Sequence, residues 1–310
     1  MSRVAVLKGG RSLERQVSLT SGGRVQEALE RLGHEVHGVD VGHDLVALLR
    51  EIGPDAAFVA LHGRDGEDGT VRELLEVLGI PYTGSGISAC VLSSDKVLAK
   101  HAMVAAGIPT PDFLSFNETA FKELGATEAL GAVEERLGFP IVVKPADQGS
   151  ALGIKFAREA ADIPAALVAA FSYSTKVILE RHVEGRDLAV SILDGQALPV
   201  VEAVPLDEDF YDFAARYTIG RTRFVCPAEL EDATTARAQE LALAVHDLLG
   251  CRHFSRVDLM CDAATGELFV LEANVIPGLT ETSLLPQAAD AVGIAFDDLV
   301  AKMLALALPG

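Results

Sequence analysis

Cysteines are few in this 310-residue sequence, and no two of them form a CxxC pair. The four that occur are Cys90, Cys226, Cys251 and Cys261, each in apolar surroundings. Paired metal-binding or redox-active cysteines would need a closer spacing. The pattern therefore favours buried free thiols in a reducing compartment over disulfide bonds.

Positive charge is also scarce. Lysine and arginine together number 26 against 45 aspartates and glutamates, which gives a formal net charge of −19. Nucleic acid and anionic membrane surfaces repel such a chain, so we expect neither as a main partner. Any phosphate site must then be assembled from a few local cations.

Long hydrophobic runs are absent too. No uninterrupted apolar stretch reaches the roughly 20 residues that a membrane span needs. The opening "MSRVAVLKGG" leads into a short strand and a glycine turn, which is unlike a signal peptide. With 49% hydrophobic and 23% charged residues, the composition predicts a cytoplasmic globular protein of two or three domains.

The first 90 residues alternate strand and helix patterns. The strands are "RVAVL", "EVHGVDV" and "AAFVALHG", with helices at about residues 18–32 and 44–52 between them. This order predicts a parallel sheet, in which ligands bind beyond the carboxyl ends of the strands. Those ends are the glycine-rich, charged stretches "KGGRSLER" and "LHGRDGEDG".

The pattern changes near residues 93 and 184. Ser94 or Asp95 can cap a helix that ends at Gly107, and "PIVVKPA" and "KVILERHV" read as strands. Further strands and helices at about 232–249 and 293–307 follow. We predict α/β and α+β lobes at residues 1–93, 94–184 and 185–310, packed around a shared cleft.

An acidic hairpin is predicted in "FSRVDLMCDAATGELFVLEANVIPG", residues 254–278. Folding it about Ala264–Thr265 sets Asp258 opposite Glu272, about 5 Å apart. By alternation, one face of the first strand carries Arg256, Asp258 and Met260. The corresponding face of the second strand carries Val270, Glu272 and Asn274. Either this face is simply exposed to solvent, or a divalent cation such as Mg²⁺ lies between the carboxylates.

A phosphate-binding loop is the second candidate feature. "IVVKPADQGSALGIKF" joins two apolar runs through Gly149, Ser150 and Gly153, and glycines allow backbone N–H groups to face an anion. Lys144 ends the first run, and Lys96 lies further upstream. Taken alone, the loop is equally typical of a plain hairpin turn.

Two acidic residues follow the loop. Glu180 ends the strand in "VILERHVEGRD", and Asp187 lies a few residues later. A carboxylate at a strand end can accept a hydrogen bond from an adenine amino group, and another can accept from ribose hydroxyls. Such residues taken singly are more often solvated. Together with the acidic hairpin, however, they complete a series of candidate features that follow one another along the chain: a lysine, a glycine-rich loop, these carboxylates and the metal-binding carboxylates.

In this arrangement the sequence resembles the ATP-grasp carboxylate–amine ligases, and most closely the D-alanine–D-alanine ligase family. The matching segments run in order along nearly the whole chain: "GGRSLERQVSLTSG", "ALHGRDGEDG", "IPYTGSG", "SSDKVLAKHAM", "VVKPADQGSALG", "FYDFAARYTIG", "FVCPAEL", "RVDLM" and "LEANVIPGLTETSLLP". The resemblance implies a three-lobed ATP-grasp fold. It also implies ATP-driven joining of two D-alanines through an acylphosphate, for peptidoglycan precursors.

The resemblance also implies cofactors and partners. It implies ATP and two Mg²⁺ ions, for which Mn²⁺ can substitute, and leaves a monovalent cation open. It implies ATP and D-alanine as substrates, and a homodimer. Asp258, Glu272 and Asn274 match the family's metal ligands. The implied ATP contacts are Lys96, Lys144, Ser150, Ala151, Glu180, Val183, Asp187, Phe210, Arg216, Met260 and Leu271.

For the amino acids, the resemblance assigns Glu14 to the first D-alanine's ammonium, with His62 nearby. Arg256 and the Gly278 backbone N–H match the oxyanion site, and Ser283 and Leu284 match the clamp on the second substrate's carboxylate. Tyr217 matches a loop tyrosine that links Ser150 to Glu14. From the residues alone, Glu14 could equally be an exposed helix acid and His62 a core histidine.

Three positions depart from the family's pattern. Arg216 stands where a lysine is usual, Asp187 where a glutamate is usual, and Ala151 where a second serine is common. Tyr217 favours an amine acceptor over a hydroxy acid, but it does not separate D-alanine from D-serine. The alternatives are a related dipeptide ligase with another second amino acid, in antibiotic biosynthesis or resistance, and a nucleotide-binding protein without turnover.

Overall fold

The computed structural model of the chain describes residues 1–206, 216–218 and 220–308. Three β-sheets lie within these residues, each accompanied by helices. None of the helices in this part of the chain combines the length and the apolar character that crossing a bilayer requires.

The first sheet is parallel, as the sequence predicts. β1 (Arg3–Lys8) lies between β2 (Glu35–Asp40) and β3 (Ala56–Val59), and α1 (Arg15–Arg31) and α2 (Leu45–Ile52) connect them. The central residues of β1 are fully buried because helices and neighbouring strands cover them on both sides. Its carboxyl end leads into Gly9 and Gly10, both at positive φ.

Three helices follow this sheet: α3 (Thr70–Leu78), α4 (Ile87–Ser94) and α5 (Lys96–Ala105). Asp95 is the N-cap of α5, because its side chain accepts hydrogen bonds from the backbone N–H groups of Val97 and Leu98 at 2.9 and 3.1 Å. The cap fixes Lys96 as the first helical residue.

The second sheet is antiparallel. Its order is β4 (Phe113–Asn117), β7 (Lys176–Arg181), β5 (Ile141–Pro145) and β6 (Lys155–Ala157). Helices α6 (Glu118–Glu123), α7 (Leu130–Leu137) and α8 (Ile163–Phe171) accompany it, with short 3₁₀ turns at Ala126–Ala129 and Ala160–Asp162. The segment between β5 and β6 is the predicted phosphate loop.

The third sheet has the order β11 (Thr222–Val225), β10 (Val201–Pro205), β8 (Gly185–Leu193), β12 (Phe254–Asp262) and β13 (Leu268–Asn274), and β9 (Gln196–Ala197) pairs with β8. The helices of this region are α9 (Asp232–Leu248), α10 (Leu284–Asp290) and α11 (Phe296–Ala305). The antiparallel hairpin of β12 and β13 confirms the pairing predicted from the sequence.

The buried cores show how the sheets join. Two apolar clusters mix residues of the first and third sheets: one contains Leu7, Val59 and Val257, and the other contains Phe58 and Phe254. The second sheet has a separate core around Val143 and Leu179. The chain therefore leaves a cleft between the second sheet and the combined first and third sheets.

All four cysteines are free thiols, as expected. Cys90, Cys251 and Cys261 are buried, whereas Cys226 is only half-buried. Burial raises the pKa of the Cys90 and Cys251 thiols to about 11, which keeps them protonated near neutral pH.

Candidate active site

The predicted site residues line three adjoining cavities at the cleft. The central cleft includes Lys96, Lys144, Ala151, Asp187, Arg216, Asp258, Leu271 and Glu272. A polar pocket beside it includes Glu14, His62, Ser150, Tyr217, Arg256, Asn274, Gly278, Ser283 and Leu284. A mostly apolar pocket includes Glu180, Val183 and Met260. Arg216 borders all three, and Phe210 lies outside the described residues.

The acidic hairpin has the register that the sequence predicts at its active end. Asp258 pairs with Glu272, and Arg256 pairs with Asn274. The Arg256 guanidinium donates to both Asp258 oxygens at 2.6 and 2.8 Å, and Asn274 Nδ2 donates to Asp258 Oδ2 at 3.2 Å. Arg256 thus compensates the charge of Asp258, and Lys96 lies beside Glu272, so the face is not simply solvated.

The predicted alternation is wrong at Val270. The register shifts between Asp258 and Leu259, so Val270 pairs with Leu259 and packs in the core rather than on the face of Glu272. A β-bulge adds one residue to one strand and re-aims its side chains. As a result Leu271 and Glu272, although adjacent in sequence, both line the central cleft.

Two buried lysines face this cleft. Lys96 Nζ lies 3.0 Å from Glu272 Oε2 and donates to the Gln148 carbonyl at 2.7 Å. Lys144 Nζ lies 2.5 Å from Glu180 Oε2. Lys96 comes from the start of α5 and Lys144 from the end of β5. Two elements thus each supply a cation to the central cleft, as the sequence predicts for a phosphate site built from a few local positive charges.

Glu272 is strongly ionised in this setting. Burial alone would raise the pKa of its carboxyl, but Lys96, Lys144 and Arg216 outweigh burial and lower it to about 2. Asp187 behaves in the opposite way. Burial raises its pKa to about 6, although Arg216 opposes the shift.

The loop between β5 and β6 presents backbone to the central cleft and the polar pocket. Ser150 and Ala151 both adopt positive φ, at 52° and 59°, and Gly153 does so at 75°. Gly149 lies so close to Glu14 that an added Cβ would be 3.1 Å from both carboxylate oxygens. β5 and β6 pair antiparallel on either side of the loop, so the segment is a hairpin connection. A plain hairpin turn, however, would not need to approach a carboxylate that is distant in sequence.

Glu14, Ser150 and Tyr217 form a hydrogen-bonded triad in the polar pocket. The Ser150 hydroxyl donates to Glu14, and its oxygen lies 2.6 Å from the Tyr217 hydroxyl. Burial, reinforced by Glu67, raises the Glu14 pKa to about 7. Burial also raises the Tyr217 pKa above its ordinary value. Glu14 is therefore not the exposed helix acid that the sequence left open.

His62 is both buried and connected. Its Nε2 lies 3.0 Å from the Ser21 hydroxyl, which accepts a hydrogen bond from the Leu279 N–H, and its Nδ1 lies 3.8 Å from Glu67. The sequence patterns do not single out Glu67, although it belongs to the charged stretch "LHGRDGEDG", which they predict to lie at a ligand-binding edge. Glu67 also lines the polar pocket.

The end of the polar pocket is built by the turn before α10. Ser283 is the N-cap residue of α10 and accepts from the Thr280 N–H at 2.9 Å, and Leu284 is the first helical residue. A Cβ on Gly278 would lie 2.5 Å from the Ser283 hydroxyl oxygen. Only glycine fits there without displacing Ser283, which leaves the Gly278 backbone at the pocket wall.

Comparison with protein families identifies the family to which the chain belongs. The model described as "D-ala D-ala ligase C-terminus" matches residues 102–305, and "D-ala D-ala ligase N-terminus" matches residues 47–85. The chain belongs to the D-alanine–D-alanine ligase family. The family resemblance predicted from the sequence is thereby confirmed.

Full-length members of the D-alanine–D-alanine ligase family agree with this assignment. The D-alanine–D-alanine ligase of Synechococcus sp. strain JA-3-3Ab is 44% identical over 308 residues, covering 98% of this chain and 93% of the relative. Two Bacillus anthracis D-alanine–D-alanine ligase structures, one complexed with ATP, have TM-scores of 0.84 and 0.86. They are 31% and 33% identical, and each covers 99% of this chain and 98% of the other. The predicted fold class is confirmed.

Proposed function

We propose that the chain joins two D-alanines to D-alanyl-D-alanine, with ATP converted to ADP and phosphate, and so supplies peptidoglycan precursors. The observation that carries the proposal is the meeting of three groups in one cleft. Lys96, Lys144 and the Asp258–Glu272 pair line the central cleft, and the Glu14 triad and Arg256 line the adjoining polar pocket.

The first step is transfer of the γ-phosphoryl group to the first D-alanine. One carboxylate oxygen attacks the γ-phosphorus, the bond to ADP breaks, and an acylphosphate forms. Lys96, Lys144 and Arg216 neutralise the phosphoryl oxygens, because positive charge is needed where negative charge develops in the transition state. Glu14 holds the ammonium of this substrate, and His62 stands beside it.

The second step forms the peptide bond. The amine of the second D-alanine attacks the acyl carbon, a tetrahedral intermediate forms, and phosphate leaves with the carboxylate oxygen that attacked the γ-phosphorus. Arg256 and the Gly278 N–H stabilise the oxyanion. Ser283 and Leu284 hold the carboxylate of the second substrate, and Tyr217 helps to close the site against water.

Magnesium suits the residues present. Asp258, Glu272 and Asn274 offer carboxylate and amide oxygens, which are the hard donors that Mg²⁺ prefers. Within the described residues no three His, Cys, Asp or Glu side chains cluster as a metal site, so nucleotide phosphates would complete the coordination. Bound Mg²⁺, in two ions or with Mn²⁺ in its place, would neutralise phosphate charge.

The apolar pocket suits the nucleotide base. Val183, Met260 and Leu271 provide apolar walls, and Glu180 provides an acceptor at its edge. We assign Glu180 to the adenine amino group and Asp187 to the ribose hydroxyls. Ser150 and Ala151 contribute the loop over the phosphates.

We further infer a cytoplasmic homodimer. ATP is a cytoplasmic substrate, and the buried free thiols suit a reducing compartment. Exposed apolar side chains occur on three successive helices: Leu74 and Val77 on α3, Val91 on α4, and Leu98 and Val104 on α5. Apolar surface of this kind is typical of a contact between subunits.

Product analysis tests the proposed reaction. The purified chain is incubated with MgATP and D-alanine alone, and then with D-alanine plus D-serine, D-lactate or L-alanine, and products are identified by mass. We expect D-alanyl-D-alanine from D-alanine alone and no product from Asp258→Asn. Product only from a mixed pair would indicate a dipeptide ligase with another second substrate. ATP binding without any product would indicate a protein without turnover.

A further inference from the structure

Lys100 is a fully buried lysine to which the proposed reaction gives no role. It lies on α5, one turn after Lys96, and its side chain has no exposed surface. A lysine is almost never buried completely unless a partner compensates its charge. Its surroundings therefore show what it is positioned to do.

The charge partner of Lys100 is Glu180. Lys100 Nζ lies 2.8 Å from Glu180 Oε1, while Lys144 lies on the other oxygen, Oε2, at 2.5 Å. Oε1 is itself a buried atom, and the ion pair with Lys100 compensates its charge there. Glu180 itself lines the apolar pocket.

Hydrogen bonds fix the position of the Lys100 ammonium. It donates to the Thr110 hydroxyl and, at 3.4 Å, to the Pro111 carbonyl, and it lies 5.3 Å from the centre of the Phe113 ring. Thr110 in turn donates to the Val270 carbonyl at 2.7 Å. A polar path thus runs from Glu180 on β7 through Lys100 to β13, whose Leu271 also lines the apolar pocket.

The electrostatics agree with this geometry. Burial lowers the pKa of Lys100 to about 8, although Glu180 opposes the shift. Burial alone would raise the Glu180 pKa, but Lys100 and Lys144 outweigh it and keep the carboxyl below its ordinary pKa. An ionised carboxylate accepts hydrogen bonds only, whereas a protonated one could also donate.

We propose that Lys100 is a positioning residue that selects the nucleotide base, by holding Glu180 as a fixed anionic acceptor for the exocyclic amino group of adenine. A 6-oxo purine presents a carbonyl oxygen at that position, which an anionic acceptor repels. Buried polar groups that are left unpaired by the wrong ligand give strong discrimination. The inference rests on the proposed contact between Glu180 and adenine.

The test compares ATP with inosine triphosphate, which differs at the 6-position of the base. Initial rates at saturating D-alanine are measured for the parent chain, Lys100→Met, Glu180→Gln, the double variant and Lys122→Met. Lys122, on α6 with its side chain 63% exposed, is the matched control. For Lys100→Met we expect KM for ATP to rise about tenfold, kcat to change little, and the preference for ATP to fall about tenfold.

The double variant separates a specific role from a general one. If Lys100 acts through Glu180, Lys100→Met adds little to Glu180→Gln, and Lys122→Met resembles the parent. The inference is overturned if Lys100→Met leaves the ATP preference unchanged, or lowers the rates with both nucleotides equally. An unchanged preference in Glu180→Gln would instead overturn the adenine assignment itself.

A second variant covers the case in which Lys100→Met does not fold, as judged by thermal unfolding. Thr110→Val removes the hydroxyl between Lys100 and Val270 but keeps both charges. It should raise KM for ATP about threefold, without changing KM for D-alanine, because one hydrogen bond to Lys100 is lost. Equal changes in both KM values would contradict the inference.

Discussion

Glu14 is a buried carboxyl whose pKa lies near neutrality, although its proposed ligand is a cation. Burial and the nearby Glu67 raise the pKa from 4.5 to about 7, and Ser150, His62 and Lys96 only partly offset them. A carboxyl group with this pKa is about half protonated at neutral pH until a cationic ligand binds beside it. Sequence alone did not predict it, because burial and the approach of Glu67 depend on the folded chain.

We predict that Glu14→Gln stabilises the chain above neutral pH while removing activity. Because the folded-state pKa is raised, the parent binds more protons when folded and loses stability as pH rises from 4.5 to about 7. Glutamine does not titrate. The gain in melting temperature should therefore be larger at pH 8 than at pH 5, as measured by thermal unfolding. A gain that is the same at both pH values would contradict the assigned pKa.

Arg216 is the departure from the family's pattern that is closest to the chemistry. It borders all three cavities, and its charge influences both Glu272 and Asp187. Arginine keeps the positive charge of the usual lysine but presents a planar group with more donors. The substitution thus changes geometry and leaves the charge in place.

We predict that Arg216→Lys keeps kcat within about tenfold of the parent, whereas Arg216→Ala loses at least about 100-fold, because the charge near the phosphoryl group is what matters. Steady-state rates of phosphate release measure both. Arg223→Ala, at an exposed arginine on β11, is the control and should be near the parent. Equal losses in Arg216→Lys and Arg216→Ala would show that guanidinium geometry is required instead.

At the scale of elements, alternation and turn residues predicted the β12–β13 hairpin well. Asp258 faces Glu272 as the sequence indicated, because side chains in paired strands keep their period of two. The bulge was not predictable, since alternation assumes one residue opposite one residue. It is the bulge that places Leu271 beside the apolar pocket and Val270 in the core.

The loop between β5 and β6 stores backbone strain. Ser150 and Ala151 are consecutive non-glycine residues at positive φ, a conformation that costs roughly 1–2 kcal/mol per residue. We predict that Ala151→Gly raises the free energy of unfolding by about 0.5–1 kcal/mol, since relief of strain exceeds the added entropy of the unfolded chain. The same change should raise KM for ATP, because the loop is less fixed.

Denaturant unfolding and ATP kinetics measure the two effects. Ala236→Gly on α9, at an exposed helical position, is the matched control. It should lower stability by about 1 kcal/mol, the ordinary cost of glycine in a helix. If both variants are destabilised to the same extent, the loop holds no strain at Ala151.

At the scale of the whole molecule, the order of elements gave the lobed α/β and α+β architecture, but not how the lobes share their cores. Strand and helix patterns are local, whereas the core cluster that contains both Val59 and Val257 joins parts of the chain about two hundred residues apart. The boundaries near residues 93 and 184 remain predictions. The proximity of Glu14 to Ser150 is also long-range, and the family resemblance implied it although the local patterns did not.

We predict that Val77→Glu weakens the proposed homodimer. Val77 is the most exposed of the apolar side chains on α3, α4 and α5, with 84% of its surface accessible, and a buried unpaired charge at an interface is strongly unfavourable. Light scattering after size exclusion gives the mass in solution. Val168→Glu, on α8 and 59% exposed, should remain dimeric. A monomeric parent, or dissociation of Val168→Glu alone, would contradict this interface.

The most direct test of the acylphosphate route follows an oxygen atom. D-alanine labelled with ¹⁸O in both carboxylate oxygens is turned over with unlabelled ATP in ordinary water, and the released phosphate is analysed by mass. If the carboxylate attacks the γ-phosphorus and the amine then displaces phosphate, each phosphate carries one labelled oxygen and the dipeptide amide keeps the other. Unlabelled phosphate would mean that water attacks ATP directly, and the proposed function would be wrong.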